Sequence, residues 1–545
     1  MAVTEPVPAV VSAAHEGILR RQSARESAAR TYARALPIVP VRARGMTIEG
    51  ADGQRYLDCL SGAGTLALGH NHPVVLEAIR AVLDSGAPLH VLDLATPVKD
   101  AFTTELFRTL PRGFAERARV QFCGPAGTDA VEAALKLVRA ATGREGLLAF
   151  TGAYHGMTAG ALEASGGARD VRVARLPYPQ DYRCPFGIGG PRGAELAARW
   201  TESMLDDSKS GVPAPAGMIV EPVQGEGGVL PAPDAWMRRM RDITAARGIP
   251  LIADEVQTGV GRTGAFWAVE HSGVVPDVLV LSKAIGGSLP LAVVVYRDDL
   301  DVWPPGAHAG TFRGNQLAMA AGAATLAYVR ENRLAERAAD LGTRMLAGLR
   351  SLAHEHSDIG DVRGRGLMLG VELVDPNGRQ PTLNGGDFDQ ARGVSRNDDP
   401  SAAAADGRPG TAPDSAPRDH HSGSARTIPA ARQGGPRTAS TRIEGAHSHP
   451  SQPDGATAGE HADLHQRPSD TAHGLPETRP HPPAPELAAA VQRECLRRGL
   501  IVELGGRHSS VVRLLPPLTI TDEQATAVLD RLADAVVTAT RAQHR

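Results

Sequence analysis

Two polar residues at the ends of apolar segments predict a site for covalent chemistry. Lys283 follows the segment DVLVLS, and Asp254 ends the segment IPLIAD. An ammonium ion at the carboxyl end of a buried strand carries a large desolvation cost, whereas a neutral amine there is suited to forming a Schiff base. The pair therefore indicates a cofactor site. Taken singly, Asp254 could be a turn residue and Lys283 could reach solvent along its aliphatic stem.

The start of a predicted helix offers a place for a phosphate. Residues 129–143 (DAVEAALKLVRAATG) repeat apolar residues with the period of a helix, and Gly127 and Thr128 precede them. Free amides of a first helical turn, together with a hydroxyl group, are well suited to bind an anion. The competing interpretation is that Thr128 is simply an N-cap residue.

Further polar residues follow other apolar segments. Tyr154 and His155 come after LLAFTGA, Glu221 and Glu226 come after GMIV, and Gln257 comes shortly after Asp254. Ligands of open α/β sheets bind beyond the carboxyl ends of the strands, so we expect these side chains to gather at one edge. Tyr154 could stack on a planar ring or pack ordinarily, and Glu221 could form only a salt bridge at the rim of the sheet.

These residue types match the requirements of pyridoxal phosphate one by one. Lys283 would bind the cofactor covalently and then move a proton as acid and base. Asp254 would keep the pyridine nitrogen protonated, so that the ring can accept electrons. Gly127 and Thr128 would hold the phosphate, and Tyr154 would cover one face of the ring. The interpretation depends on the joint occurrence of these residues.

Composition limits the possible classes of function. The chain has 545 residues, 42% of them hydrophobic, and a formal net charge of −3, which argues against a nucleic-acid partner. Its four cysteines include no CxxC pair, so neither a zinc site nor a disulfide framework is predicted, as suits a reducing compartment. We find no signal peptide and no apolar segment of membrane-spanning length, and we expect a soluble, cytoplasmic protein without a membrane partner.

The order of the predicted helices and strands indicates an α/β protein whose parallel sheet is covered by helices. Residues 376–483 are rich in Pro, Gly, Ser and charged residues and have no hydrophobic period, so a disordered insertion is expected there. Its histidines lack the spacing of metal ligands, and no metal site is predicted. The predicted division is an N-terminal extension (1–30), a small domain (31–80, 326–375 and 484–545), a large cofactor-binding domain (81–325) and the insertion.

Seven separated motifs resemble those of the class III pyridoxal-phosphate-dependent aminotransferases, in the same order. They are GPAGTDAVEAALKLVR, GAYHGMT, EPVQGEGG, LIADEVQTGVGRTG, LSKAIGG, HAGTFRGN and VVRLLPPLTI. The resemblance implies pyridoxal 5'-phosphate as cofactor and the fold of the fold-type I transferases. In that fold a large domain with a mainly parallel seven-stranded sheet is joined to a smaller α+β domain formed by both chain ends.

The resemblance also assigns roles to residues near the cofactor. Lys283 matches the lysine that binds the cofactor covalently, and Asp254 matches the partner of the pyridine nitrogen. Gln257 matches the residue near the phenolic oxygen of the ring. Gly127 and Thr128 match the phosphate cradle.

Other matched residues concern the ring face, the substrate and a second subunit. Tyr154 matches the aromatic residue that stacks on the ring, with His155 beside it in the same motif. Thr311 matches a threonine that reaches the phosphate of the neighbouring subunit, which implies a homodimer with shared active sites. Glu226 and Arg513 match an ion pair that opens to free the arginine for a carboxylate of glutamate and stays closed for an ω-amino donor.

Three longer segments resemble the diaminobutyrate–2-oxoglutarate branch of the family: residues 90–106, 271–296 and 305–322. This branch moves an amino group from L-glutamate, the donor, to L-aspartate 4-semialdehyde, the acceptor. Met157 stands where ornithine, acetylornithine and 4-aminobutyrate aminotransferases carry an arginine. Because methionine cannot pair with a carboxylate, either the second carboxylate of glutamate is held elsewhere or those other substrates are disfavoured.

Two alternatives to this reaction stay open at the level of the sequence. The chain could be another class III ω-aminotransferase, acting on ornithine, acetylornithine or 4-aminobutyrate, or an aminomutase of the same fold. It could also be a non-catalytic scaffold whose long insertion recruits partners. The scaffold hypothesis predicts that Lys283 is dispensable, whereas every enzyme hypothesis requires it.

Overall fold

The computed structural model describes residues 9–167, 172–378 and 480–543 of the chain. These residues belong to one compact unit. The predicted disordered insertion lies outside the described residues, except for its two ends at 376–378 and 480–483. No helix within the described ranges is long and apolar enough to cross a membrane.

The N-terminal part of the chain forms an antiparallel ribbon of three strands, with two helices before it and two after it in the sequence. Its elements are α1 (Ala9–Arg25), α2 (Tyr32–Ala35), β1 (Pro40–Arg44), β2 (Thr47–Gly50), β3 (Arg55–Asp58), α3 (Pro73–Asp84) and α4 (Pro97–Thr109). β2 pairs with β1 on one side and with β3 on the other. α3 and α4 each begin with proline, whose missing amide and fixed φ suit the first helical turn.

The central part of the chain builds the large sheet. Its elements are β4 (Ala118–Phe122), α5 (Gly127–Thr142), β5 (Leu147–Phe150), α6 (Ala159–Ser165), β6 (Val173–Leu176), α7 (Gly190–Asp206), β7 (Gly217–Val220), β8 (Val223–Gln224), β9 (Leu230–Pro231), α8 (Asp234–Ala246), β10 (Leu251–Asp254), β11 (Val278–Leu281) and β12 (Val293–Arg297). The seven-stranded sheet has the order β4-β12-β11-β10-β7-β5-β6. β12 runs antiparallel to both neighbours, and the other strands run parallel. The predicted mainly parallel sheet is therefore confirmed.

Burial explains why this sheet forms and where ligands can reach it. All residues of β5, β7, β10 and β11 are buried, as expected for parallel strands covered on both faces. These four strands lie side by side in the sheet, in the order β11-β10-β7-β5. Their carboxyl ends meet at one edge, and the segments that follow them carry the polar residues singled out in the sequence.

The C-terminal part of the chain builds a second antiparallel sheet between helices. Its elements are α9 (Gln316–Glu331), α10 (Leu334–Glu355), β13 (Ile359–Arg365), β14 (Met368–Leu373), α11 (Pro485–Arg497), β15 (Leu500–Ile501), β16 (Glu503–Gly505), β17 (Val511–Leu514) and α12 (Asp522–Gln543). The sheet has the order β13-β14-β17-β16. β15 instead pairs in parallel with β3, so both chain ends contribute to the N-terminal ribbon. The predicted domain boundaries stay a prediction.

The two ends of the insertion are hydrogen-bonded to each other. Val374 and Pro483 form an antiparallel bridge just after β14. The amide of Asp375 donates to the carbonyl oxygen of Pro482 over 2.9 Å. The insertion therefore leaves and rejoins the fold at one place, where a short connection can replace it.

Deletion of residues 379–479, with a short Gly-Ser turn in their place, is expected to leave the fold and the activity nearly unchanged. The expectation follows because loop closure depends weakly on loop length, and both ends stay fixed by their own hydrogen bonds. Turnover should stay within about twofold and Tm within about 3 °C of the full chain. Steady-state kinetics and thermal unfolding check it. A loss of activity without a loss of stability would show that the insertion contributes to function.

Candidate active site

A cavity of about 300 Å³ lies at the carboxyl ends of the central parallel strands. Eight residues that the sequence singles out for the site line this cavity: Gly127, Thr128, Tyr154, His155, Glu226, Asp254, Gln257 and Lys283. Thr311 and Arg513 do not line it. Glu221 and Met157 line the cavity as well. The structure thus brings together residues that are spread over more than half of the large sheet.

Lys283 sits just beyond β11 in a strained position. It begins a short 3-10 helix, Lys283–Gly286, and its φ is +48°, in the left-handed region that non-glycine residues seldom adopt. Its amine faces the cavity instead of reaching solvent. Burial lowers the pKa of this amine, although the carboxylates of Glu226 and Asp254 oppose the shift. A larger fraction of neutral amine is available as a nucleophile as a result.

Asp254 and His155 form a buried pair at the floor of the cavity. Asp254 Oδ2 lies 2.6 Å from His155 Nδ1, and both side chains are buried. Burial acts to lower the pKa of His155, but its hydrogen bond to Asp254 and that carboxylate's charge raise the pKa overall. A protonated imidazole places a positive charge 2.6 Å from the Asp254 carboxylate. Asp254 Oδ1 also accepts from the amide of Val256 over 3.1 Å, so the turn interpretation and the site interpretation both hold.

The start of α5 opens onto the cavity. Ala126 is the N-cap residue and Gly127 begins the helix, so the N-cap interpretation of Thr128 is wrong. The Thr128 hydroxyl instead lies 2.6 Å from that of Thr158, a partner that the sequence did not suggest. Asp129 accepts from the amide of Ala126 over 2.9 Å. The amide of Asp129 donates to the carbonyl oxygen of Ala126, so the amides of Gly127 and Thr128, with the positive end of the helix dipole behind them, are the ones that face an anion.

Gly156 keeps the space beside this helix start open. Its φ is +122°, and a Cβ there would lie 2.5 Å from Thr128 Oγ1 and 2.6 Å from Thr128 Cβ. The backbone can therefore approach the first turn of α5 only because residue 156 has no side chain. The result is a narrow cradle between the two segments.

Glu221 anchors two segments of the cavity wall. Its Oε2 accepts from the amide of Tyr154 over 3.0 Å, and its Oε1 accepts from the amide of Gly225 over 3.2 Å. Burial raises the pKa of Glu221 to about 7, with the charge of Asp254 adding to the shift and that of His155 opposing it. Glu221 is thus buried, and the rim salt bridge considered from the sequence is wrong. Tyr154, held in this way, is 43% exposed at the mouth of the cavity.

Gln257 ties the cavity to the N-terminal part of the chain. Its Nε2 donates to the carbonyl oxygen of Ala63 over 3.1 Å. Its side chain also lies so close to Gly225 that a Cβ at residue 225 would overlap it. Gln257 therefore has one fixed orientation, with its side chain against the wall that Glu221 anchors.

Arg513 lies between two carboxylates next to the cavity. Its side chain is fully buried, and its Nη2 lies 2.9 Å from Glu226 Oε1 and 2.8 Å from Glu503 Oε2. Sequence reasoning missed Glu503. The signal that could have found it is the hairpin of β16 and β17, in which Glu503 and Arg513 are direct cross-strand neighbours. Tyr32 of α2, also missed as a site residue, lies near Glu503, and burial together with the charge of Glu503 raises the pKa of its phenol.

Thr311 and Met157 lie at the periphery. Thr311 is exposed in the short 3-10 helix Thr311–Arg313, and its predicted role toward a neighbouring subunit stays a prediction. Met157 lines the mouth of the cavity with 68% of its surface exposed. Among the described residues that line the cavity, Lys283 is the single Lys or Arg. A second cation for a dicarboxylate must therefore come from outside this lining, as Arg513 does.

The arrangement fits pyridoxal phosphate. The cradle at α5 suits the phosphate, and the buried Asp254 suits a protonated ring nitrogen. The lowered pKa of Lys283 suits covalent attachment to the aldehyde. Tyr154 at the mouth suits one face of the ring. Each requirement thus has its own residue on the cavity wall.

Comparisons with known proteins agree with this chemistry. The family model described as Aminotransferase class-III matches residues 28–391. The diaminobutyrate–2-oxoglutarate aminotransferase of Rhizobium meliloti (strain 1021) is 46% identical over 526 residues, which cover 95% of this chain and 92% of that protein. The protein of the same name from Haemophilus influenzae is 49% identical over 383 residues, which cover 69% of this chain and 84% of that protein.

Solved structures show the same fold. An amine transaminase from an uncultivated Pseudomonas species, in its PLP-bound form, superposes with a TM-score of 0.67 and 26% sequence identity. The superposition covers 94% of this chain and 98% of that one. The predicted fold, that of the fold-type I transferases, is confirmed by this likeness.

Proposed function

This chain belongs to the class III aminotransferases, whose cofactor is pyridoxal phosphate, and from that membership we propose its reaction. It transfers an amino group from L-glutamate to L-aspartate 4-semialdehyde, giving L-2,4-diaminobutyrate and 2-oxoglutarate. The names of its relatives from Rhizobium meliloti and Haemophilus influenzae support this choice within the family. The predicted homodimer and the roles of individual residues belong to the same proposal.

The observation that carries the proposal is the position of Arg513 behind Glu226. Glu226 lines the cavity and covers the Arg513 guanidinium, with its Oε2 2.9 Å from Nη2. An arginine that one carboxylate can cover or release serves two unlike substrates, because its planar fork binds a carboxylate of glutamate when it is free. When Glu226 covers it, the cavity receives a substrate whose reacting end carries no carboxylate.

The chain's own residues divide the chemistry among them. Bound pyridoxal phosphate supplies a ring that accepts electrons from the substrate carbon. Lys283 moves the proton, because it is the one Lys or Arg among the described residues that line the cavity and burial lowers the pKa of its amine. Asp254, paired with His155, holds a proton on the ring nitrogen. The amides at Gly127 and Thr128 orient the cofactor through its phosphate.

Steady-state assays with two acceptors test the proposed substrate. With glutamate as the donor, kcat/KM for aspartate 4-semialdehyde is expected to be higher than kcat/KM for succinic semialdehyde by on the order of tenfold or more. The names of the relatives from Rhizobium meliloti and Haemophilus influenzae are the reason for this expectation, since each acceptor carries one carboxylate and Met157 offers a cation to neither. A preference for succinic semialdehyde would show that the chain is a different ω-aminotransferase.

The proposed homodimer is supported by an exposed apolar surface beside Thr311. Leu92, Leu94 and Phe312 are 49%, 64% and 68% exposed. The amide of Val91 donates to the carbonyl oxygen of Gly314 over 3.2 Å, so these side chains belong to two adjoining segments. Large exposed apolar side chains in one place indicate a surface that another chain covers. Thr311, with its predicted role across the interface, is next to Phe312.

Phe312→Glu is expected to convert the dimer largely to monomer and to weaken cofactor retention. A charge placed in an apolar interface costs several kcal/mol, about enough to shift the equilibrium at micromolar concentration. Sedimentation equilibrium with and without added pyridoxal phosphate measures both effects. Trp200→Glu, at an aromatic residue of α7 that is 52% exposed, is the matched control and should stay dimeric. A dimer that survives the Phe312 change places the interface elsewhere.

The cysteines support a cytoplasmic location, which we also propose. All four are free, and Cys59, Cys123 and Cys495 are buried. Burial raises the pKa of Cys495 to about 12, so this thiol is unreactive. Free thiols are usual where the environment keeps them reduced.

A further inference from the structure

The backbone that carries Glu226 forms a tight and strained turn. In residues 225–229, which we call the Glu226 turn, the amides of Gly228 and Val229 both donate to the carbonyl oxygen of Gly225, over 3.1 and 3.2 Å. Val229 is fully buried and has a φ of +54°, a left-handed conformation that a β-branched residue seldom adopts. Such a conformation persists only where the surrounding structure holds it.

The Glu226 turn is held by the antiparallel sheet β13-β14-β17-β16, whose strand β17 carries Arg513. The amide of Gly506, in the connection between β16 and β17, donates to the carbonyl oxygen of Glu226 over 2.9 Å. Val229 packs against Gly370 of β14, where a Cβ would lie 3.1 Å from Val229 Cβ. Gly370 is in turn the cross-strand neighbour of Arg513. The backbone of Glu226 is therefore fixed relative to Arg513.

Arg363 of β13 makes the third contact between this sheet and the turn. Its Nε donates to the carbonyl oxygen of Gly228 over 2.9 Å, and its side chain is 13% exposed. Two carboxylates hold the guanidinium group, because Nη1 lies 2.7 Å from Asp361 Oδ2 and 2.6 Å from Glu372 Oε2. Glu372 also pairs with Arg183. The hydrogen bond to Gly228 thus comes from a largely buried, preorganised charged group, which makes it stronger than a neutral one.

We infer that Arg363 is a positioning residue, which fixes the Glu226 turn so that Glu226 covers Arg513 while 2,4-diaminobutyrate reacts. The inference rests on the proposed function and adds to it the residue that sets the covered state. The reacting carbon of 2,4-diaminobutyrate carries no carboxylate, so Arg513 keeps Glu226 as a partner, whereas glutamate brings a carboxylate that replaces it. Because the backbone of Glu226 is held and its side chain is 36% exposed, release of Arg513 requires rotation of that side chain alone.

The test is Arg363→Lys in the holoenzyme, with 2,4-diaminobutyrate and glutamate each as the amino donor in single-turnover reactions followed by cofactor absorbance. Lysine keeps a positive charge for Asp361 and Glu372 but has no donor at the position of Nε. Without that hydrogen bond the strained turn relaxes, and Glu226 covers Arg513 less well. We expect the second-order rate constant to fall about tenfold with 2,4-diaminobutyrate, the size of a lost charged hydrogen bond, and less than about twofold with glutamate.

Arg365→Lys is the matched control, because Arg365 lies on the same strand and makes the same kinds of contact. Its Nη2 lies 2.8 Å from Asp234 Oδ1 and donates to the carbonyl oxygen of Ala232 over 3.3 Å, beyond the Glu226 turn. This variant should leave the ratio of the two rate constants unchanged. Thermal unfolding of both variants measures any loss of stability, which would affect the two donors alike.

Two outcomes of the variant reactions would overturn the inference. Equal losses with both donors would show a general structural role for Arg363, and unchanged rates with both would show that the turn does not depend on it. A wild-type enzyme that does not accept 2,4-diaminobutyrate would instead contradict the proposed function, before any variant is made. Should Arg363→Lys fail to fold, Glu372→Gln loosens the same guanidinium group. A smaller loss, again confined to 2,4-diaminobutyrate, is expected there, and an equal loss with both donors contradicts the inference.

Discussion

Lys283→Ala is expected to reduce transamination by on the order of 10⁴-fold or more, because the cofactor loses both its covalent attachment and its proton carrier. No other Lys or Arg among the described residues lines the cavity, so no neighbouring side chain can replace the amine. The loss should appear in kcat with glutamate as donor. It should also appear in the visible absorbance of the purified protein, which depends on the bond between the lysine and the cofactor.

Lys209→Ala is the control for this change. Lys209 is exposed in the turn after α7, and its removal should alter neither turnover nor absorbance. Far-ultraviolet circular dichroism of both variants shows that the fold is kept. An alanine variant at residue 283 that retained its function in cells would instead support the non-catalytic scaffold hypothesis.

Asp254→Asn is expected to lower kcat by about 10²- to 10³-fold, since it removes a preorganised charge from a buried site. Asparagine has nearly the same size, so packing around residue 254 is kept. It cannot hold a protonated ring nitrogen, and it no longer stabilises a protonated His155, 2.6 Å away. The pKa of His155, which Asp254 raises against the effect of burial, should therefore fall in the variant. Kinetics and the histidine resonances in NMR spectra measure the two effects.

Asp58→Asn is a matched control, because the described part of the chain contains a second Asp–His pair, in which the aspartate is buried and the histidine is partly exposed. Asp58 Oδ2 lies 2.8 Å from His70 Nε2, and Asp58 does not line the cavity. Asp58 Oδ1 also accepts from the amides of Leu60 and Ser61, so its loss should lower stability more than turnover. If both variants lost the same activity, burial of an Asp–His pair, and not chemistry at Asp254, would explain the result.

The residues at the edge of the sheet were predictable because topology places them. Parallel strands end on the same side, so an aspartate ending one apolar segment and a lysine following another must be close in space. The same rule covers Tyr154 and Glu226, which follow β5 and β7. The start of α5 was predictable for a related reason, since a helix beginning after a strand of the same sheet directs its amides to that edge.

The residues that sequence reasoning missed depend on register and on side-chain direction. Glu503 faces Arg513 because β16 and β17 pair as a hairpin, and although that hairpin is a usable signal, a strand of three residues, Glu503–Gly505, specifies its register only weakly. The hydrogen bond between Thr128 and Thr158 likewise depends on the close approach that Gly156 permits. The anchoring role of Glu221 was not predicted, because the two amides it accepts from lie in separate segments.

The anchoring role of Glu221 has a consequence for anyone who redesigns the substrate range of this enzyme. Substitutions that remodel residues 223–229 to admit larger amines will also strain the Gly225 amide that Glu221 holds. The same carboxylate fixes the amide of Tyr154, so the aromatic platform will shift with the loop. Loop substitutions that broaden the substrate range are therefore expected to weaken cofactor binding at the same time. Libraries that vary the loop together with Tyr154 should recover both more often than libraries that vary the loop alone.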